Sequence, residues 1–310
     1  MRTLIRILGL AVLLGFTACS DPKRTVAQAE PVAQAEAHVS ALRKAGLAPA
    51  GLRGLEVQDV RRIHPLATSG LQPRPRPYLW AELRCADGSA GYLAWGDDGR
   101  LVDFCLEGVV AVEGSDAFAL PGVPPIQQFP LAGPDGAPVA SGCVPTAGAS
   151  LIAYWAGRPA TAAWGASDET KLVMRLRSRM HMVVLPDVDE HADGKMALAG
   201  AFPTDLALAM QADAVARGIE VHVELTGYER TLLAAELAEG RPVLLSCVVL
   251  LPRKPELSWG HEVVAVGRAE VAGASFVGVI DNFFTPRVPG TIRWIAEDRV
   301  DQLVLVRPRR

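Results

Sequence analysis

A thiol can act as a nucleophile when a base takes its proton, a third group orients that base, and donors wait for the oxyanion. Cys143 follows Gly142 and precedes Val144, Pro145 and an apolar run to Trp155. A proline fits the first helical turn, where its missing N–H would be unpaired anyway. Cys143 is therefore expected at a helix N-terminus, where first-turn N–H groups and the helix dipole favour a thiolate. His261 follows Gly260 and heads an apolar segment through Gly267, so its side chain can reach a cleft while its strand stays in the core. His64, His181, His191 and His222 lack such a setting. Asp281 closes the next apolar segment, 275–281, and antiparallel pairing would bring it beside His261. Strand alternation sends Asp281 and Asn282 to opposite faces, with Asp281 on the side of Val277 and Val279. Each residue also has a plainer reading. Cys143 would be a small buried hydrophobe, His261 a satisfied core histidine, and Asp281 a turn former beside Asn282.

The elements that must position these groups fall into two parts. Residues 33–47 carry a helical apolar pattern through Ala37, Val39, Leu42 and Leu47. Strand-like segments follow at 55–63, 78–85, 91–95 and 101–106, the last three separated by Asp87-Gly88 and Asp97-Asp98-Gly99, both hairpin turns. Residues 33–115 thus read as a small α+β domain, with a proline-rich extended run at 72–77 inside it. The prolines at 121–125 mark a boundary. Beyond it, helices are expected from Cys143, from an N-cap at Ser167, over 204–217 and over 230–238. Lys171, Arg175 and Arg179 read as a solvated basic face. Strands are expected at 220–225, 242–251, 261–267, 275–281, 291–295 and 302–307. Helices first and strands afterwards make an α+β arrangement for residues 122–310.

The chain has 310 residues and a net charge of −3, with half of it hydrophobic, enough for a large core in about two domains. Near-neutral charge without a basic, aromatic stripe argues against a nucleic-acid partner. The five cysteines show no metal-ligand spacing, and no cofactor is implied. Asp187, Asp189, Glu190, His191 and Asp193 invite a calcium-loop reading. They fit it poorly, because His191 falls on an oxygen-ligand position and Gly200 where the closing Glu belongs. Cys85 and Cys105 each close a meander strand and would pair only if those strands met, while Cys247 lies within an apolar strand. Residues 1–19 combine Arg2 and Arg6 with an apolar run at 5–16 that is too short to span a bilayer as a folded helix. The exit Phe16-Thr17-Ala18-Cys19 resembles a lipoprotein signal with Phe16 where leucine is usual. It implies lipidation at Cys19, a tether over 20–32, and a lipid-anchored place in a bacterial cell envelope.

Gln127-Gln128, Gly142-Cys143, Gly240-Arg241-Pro242-Val243, Gly260-His261 and Asp281-Asn282, in this order, resemble the papain-like cysteine peptidases of bacteria. The likeness is to the bacteriocin-leader-processing type and, more distantly, to streptopain, and it covers residues 123–310. It implies a papain-like fold, a helical part plus an antiparallel sheet, behind the small α+β domain. Cys143 would be the nucleophile, His261 the base and later acid, and Asp281 or Asn282 the orienting group. Gln127 or Gln128 would join the backbone N–H of Cys143 as oxyanion donors. The substrate would be a peptide or protein, with acyl transfer by the same cysteine or a non-catalytic binding module as the other readings. The sequence departs from the family at Val144, where many relatives carry glycine, and at Glu262 after the histidine.

Overall fold

A tight turn between neighbouring strands helps set the amino-terminal half. Residues 97–99 turn tightly, with Gly99 at φ 75° and its N–H bonded to the Gly96 carbonyl, and return the chain upon itself. The strands are β1 (Glu56–Ile63), β2 (Tyr78–Arg84), β3 (Ala90–Gly96) and β4 (Leu101–Leu106), joined in sequence as an antiparallel meander. The computed structural model describes residues 22–48, 55–64, 76–84, 88, 90–108, 113–114, 117–133, 136–165, 168–189, 197–251, 254–283, 288 and 290–309. The signal segment with Cys19, Cys85, most of the proline-rich run and residues 190–194 lie outside them. Helix α1 (Pro22–Lys44) precedes the meander. It starts well before the expected 33 and takes in most of the expected tether, because the alanine- and glutamine-rich stretch has good helix propensity on both sides of Pro31. Its Val39 and Leu42 are buried.

Short strands β5 (Glu113–Gly114), β6 (Ala117–Ala119), β7 (Pro130–Ala132) and β8 (Pro138–Ala140) lead into α2 (Cys143–Ala156). Then come α3 (Glu169–Arg177), β9 (Val183–Asp189), β10 (Ala197–Gly200), α4 (Pro203–Val215), β11 (Val221–Gly227) and α5 (Arg230–Ala238). The carboxyl-terminal strands are β12 (Val243–Leu251), β13 (Lys254–Val271), β14 (Ala274–Ile280), β15 (Ile292–Ala296) and β16 (Val300–Pro308). Strand β9 replaces the start of the loop expected at 186–194, since pairing with β10 satisfies its backbone. Helix α3 is capped by Asp168, whose side chain accepts from the Lys171 N–H at 3.0 Å, rather than by Ser167. Helix α4 starts on Pro203 without a side-chain cap, so Thr204 lies inside it. The basic face of α3 is not simply solvated: Arg175 and Arg179 reach the buried Asp213 of α4, at 3.0 and 3.7 Å.

Among the described residues, twelve strands form one sheet with the path β1-β2-β3-β4-β15-β14-β13-β12-β16-β11. Strand β4 pairs with β15, with Phe104 opposite Trp294, so the expected boundary at 121–125 is not a boundary of the sheet. The architecture is mixed α+β, built on antiparallel pairing throughout this sheet. One face packs Leu244, Val264 and Val266 with α2, α3 and α4. The other packs Leu245, Val263 and Ala265 under Leu233 and Leu237 of α5. A third apolar group, Tyr78, Trp80, Tyr92, Cys105 and Leu250, closes the sheet where the meander joins it.

Candidate active site

The start of α2 is fixed from both sides. Before it, the Ser141 N–H donates to the Phe129 carbonyl beside the β7–β8 hairpin, and Ser141 Oγ accepts from the Phe129 N–H in return. Arg177 Nη1 of α3 donates to the Ser141 carbonyl at 2.7 Å. Gly142 then adopts φ 98°, a left-handed conformation that favours glycine. A Cβ on it would lie 2.9 Å from the Met182 methyl and 3.1 Å from the Ala199 carbonyl oxygen. Inside the helix, Thr146 Oγ1 takes the Gly142 carbonyl at 2.6 Å. The N–H groups of Cys143 and Val144 fall in the first turn, ahead of any in-helix acceptor, and Pro145 has none to offer. Cys143 thus sits beside two N–H groups at the positive end of a helix.

His261 comes to Cys143 from β13. Its side chain lines the same cleft as the thiol, near enough for Cys143 to act on its charge, and its Nε2 lies 2.9 Å from Asp281 Oδ1. With Nε2 engaged by the carboxylate, Nδ1 is the nitrogen left to serve the sulfur. Residues 264 and 280 are paired, so His261 and Asp281 are diagonal neighbours on one face of the sheet. Burial works against an imidazolium here. The Asp281 carboxylate and Cys143 outweigh it and raise the His261 pKa to about 10. Asp281 is pushed up by burial but held far below the usual carboxylate range by His261 and Arg293.

Behind this pair lies a buried ionic chain that the sequence reading missed. Arg293 of β15 donates from Nη1 to Asp281 Oδ2 at 2.7 Å and from Nε to Asp103 Oδ1 at 3.0 Å. Its Nη2 reaches Asp103 Oδ2 at 2.5 Å and the Leu250 carbonyl at 2.6 Å. Tyr92 Oη donates to Asp103 as well, at 2.9 Å. Asp103 and Tyr92 belong to the meander, so the amino-terminal strands supply the support of the His–Asp pair. The available signal was a charge inside an otherwise apolar strand: Asp103 in β4 and Arg293 in β15.

Asn282 turns the other way. Its Nδ2 donates to the Cys143 carbonyl at 3.1 Å and to the Glu262 carbonyl at 2.9 Å. It therefore ties the helix start to β13, and its amide is directed to these carbonyls rather than to His261. Gln127 Nε2 donates to the Asp281 carbonyl and Gln128 Nε2 to Asn282 Oδ1, each at 3.0 Å. Both glutamines brace the 281–282 segment, and neither lines the cleft beside the thiol.

That cleft, of roughly 230 Å³, opens between the end of β10 and the middle of β12 and β13. Cys143 and His261 lie in its wall, with Val144, Leu198 and Pro203 as apolar lining and Glu262 and Asp301 as acids. Cys247 lies there too, but burial pushes its thiol well above the ordinary range and it donates to the His261 carbonyl. Cys105 is a free, buried thiol at the β4–β15 seam, pushed up by burial in the same way. No group of three or more potential metal ligands occurs among the described residues. Chemically, the arrangement offers a nucleophilic sulfur, a charge-stabilised imidazole and two N–H donors at one cleft. No protein-family model matches the chain, and no curated protein matches it significantly.

Proposed function

We propose that the protein is a thiol hydrolase of papain-like architecture that cleaves peptide bonds through an acyl-enzyme on Cys143. The observation that carries this reading is the contiguous run from Cys143 through His261 to Asp281, opening on one cleft. A nucleophilic helix start packed on an antiparallel sheet, with the base and its carboxylate on adjacent strands, supports the papain-like reading of the fold.

In the proposed cycle, His261 holds the proton drawn from the Cys143 sulfur, and Asp281 stabilises the resulting imidazolium. The thiolate attacks the scissile carbonyl carbon, and the oxyanion is met by the N–H groups of Cys143 and Val144. Collapse breaks the C–N bond while His261 gives its proton to the departing amine, leaving a thioester. His261, now neutral, takes a proton from water as the water attacks the thioester. The carboxylic acid product leaves and Cys143 recovers its proton. Asn282, Gln127 and Gln128 act as positioning residues, because they hold the segment carrying Asp281 and the carbonyl of Cys143.

Incubation with a peptide carrying a thiol-reactive electrophile, followed by mass spectrometry, tests the reading. Covalent labelling of wild type but not of Cys143→Ala, together with hydrolysis of a peptide library by wild type alone, is expected. An enzyme that neither labels at Cys143 nor hydrolyses any peptide would overturn it. The sequence of residues 1–19 further supports attachment of the chain to a membrane through acyl groups on Cys19. Cys19→Ser is then expected to leave the protein unprocessed or to release it from the membrane fraction, and a mature chain without acyl groups would refute the anchor.

A further inference from the structure

Glu262 is the residue after the proposed base, and the cycle above gives it no role. Glu262 is only 2% exposed, yet it is among the residues that line the cleft at Cys143. Ser246 Oγ donates to Oε2 at 2.5 Å, which fixes the carboxyl group in place. The other oxygen, Oε1, is buried and has no hydrogen-bond partner. A buried carboxylate oxygen left unmatched is costly, and a charge-assisted donor is the partner that compensates it best.

The rest of the lining narrows that donor. Leu198, Ala199, Ala201, Pro203 and Val144 make an apolar sleeve, and no lysine or arginine is among the lining residues. Asp301, exposed on β16, adds a second acid, so the field in the cleft is negative apart from His261. An apolar lining that shares its cleft with a fixed carboxylate suits a long side chain with a cationic tip, whose methylenes pack and whose charge pairs. Resting on the reading of Cys143 as a peptidase nucleophile, we propose that Glu262 is the specificity-determining residue of this cleft and receives a guanidinium or ammonium group of the substrate. Burial raises the Glu262 carboxyl, against the bond from Ser246 and the charge of His261, to a pKa of about 7. An entering cation would hold it ionised.

The test uses acyloxymethyl ketone peptides that differ only in arginine against citrulline, a neutral side chain of nearly the same shape, at each position beside the electrophile. Wild type is expected to be modified at Cys143 about tenfold or more faster by the arginine peptide at one position. In Glu262→Gln that ratio is expected to fall to about one. Equal rates at every position in wild type, or a preference that survives in Glu262→Gln, would overturn the proposal. Should Glu262→Gln not fold by circular dichroism, protection of wild-type Cys143 from iodoacetamide by arginine amide but not by citrulline amide decides in its place. If no peptide electrophile modifies Cys143, the peptidase reading falls, and Glu262 is judged on Cys143→Ala by calorimetry with the same two amides. Binding of the arginine amide alone, lost on adding Glu262→Gln, supports the cation site, and equal or no binding overturns it.

Discussion

Arg293 and Asp281 meet inside the protein, guanidinium Nη1 to carboxylate Oδ2 at 2.7 Å, with both side chains almost fully buried. The same guanidinium spans Asp103, so one cation serves two buried carboxylates from distant segments of the chain. Removing it takes from Asp103 its cationic partner and leaves Asp281 with His261, in a low-dielectric setting. Arg293→Met is expected to destabilise the fold by about 3–5 kcal/mol. Arg293→Lys is expected to recover only part, because one ammonium cannot span Asp103, Asp281 and the Leu250 carbonyl together. Urea unfolding of the three proteins checks this. A methionine variant as stable as wild type would mean that the pair has no part in stability.

Asp281 and Asn282 are adjacent but act on different partners, and their variants should fail differently. Asp281→Asn keeps the side-chain shape and loses the charge that raises the His261 pKa. Turnover is expected to drop on the order of a hundredfold, with the alkaline limb of Cys143 alkylation moving to lower pH. Asn282→Ala removes donors to the carbonyls of Cys143 and Glu262. It is expected to cost about 1–3 kcal/mol of stability while the pH limb stays in place. Alkylation rates across pH separate the two, and a moved limb in Asn282→Ala would reverse the assignment.

Local patterns carried much of this site. Alternation along 275–281 and 261–267 was enough to put His261 and Asp281 on one face, because register between neighbouring strands in a hairpin is short-range. The helix at Cys143 was legible from Pro145 and the apolar run, and α5 from its clean Gly240 stop. The β4–β15 pairing was not legible, since it joins segments nearly two hundred residues apart and no local periodicity records which edge meets which. The Asp103–Arg293 pair went with it. Arg175 and Arg179 looked like part of a solvated stripe with Lys171 because their counter-ion, Asp213, sits on a different helix, whereas Lys171 is indeed exposed. Gln127 and Gln128 were noticed by type, but a side-chain amide carries no sequence signal for the carbonyl it will find.

The His–Asp pair also sets how stability follows pH. His261 has a folded pKa of about 10 against an ordinary value of 6.5, so its contribution is complete below pH 6.5 and is lost as the pH rises to about 10. Asp281 is held low, so its contribution is present above the ordinary carboxylate range and is lost only in strong acid. The stability difference between wild type and His261→Gln is therefore expected to shrink steadily between pH 6.5 and 10. Urea titrations at several pH values across that window measure it. A difference that stays constant would show that His261 is not charged in the folded protein.

Among the three described thiols, only Cys143 has a partner that can take its proton and an open path to solvent. Burial raises both Cys247 and Cys105. Brief iodoacetamide treatment at neutral pH is expected to label Cys143 on the order of a hundredfold faster than either, because burial keeps the other two protonated. Peptide mapping by mass spectrometry reads the three sites separately. Comparable labelling of Cys247 would remove the distinction on which the nucleophile assignment rests.

Gly142 is the last link between fold and chemistry, because its peptide carries the N–H of Cys143. At φ 98°, an L side chain is strained whatever the space around it, at a cost of order 1–3 kcal/mol. Space is also short: the added methyl would press on the end of Met182, which can move, and on the Ala199 carbonyl, which is backbone in the cleft wall. Relief by moving Gly142 would carry the Cys143 N–H away from the cleft. Gly142→Ala is therefore expected to lose about 1–3 kcal/mol of stability and to slow acylation of Cys143 by an activated ester about tenfold or more. Adding Met182→Ala removes the softer clash but neither the strain nor the contact with Ala199, so the acylation rate should remain low. Full recovery in the double variant would mean that the Met182 contact alone, and not the backbone conformation at Gly142, sets the position of the nucleophile.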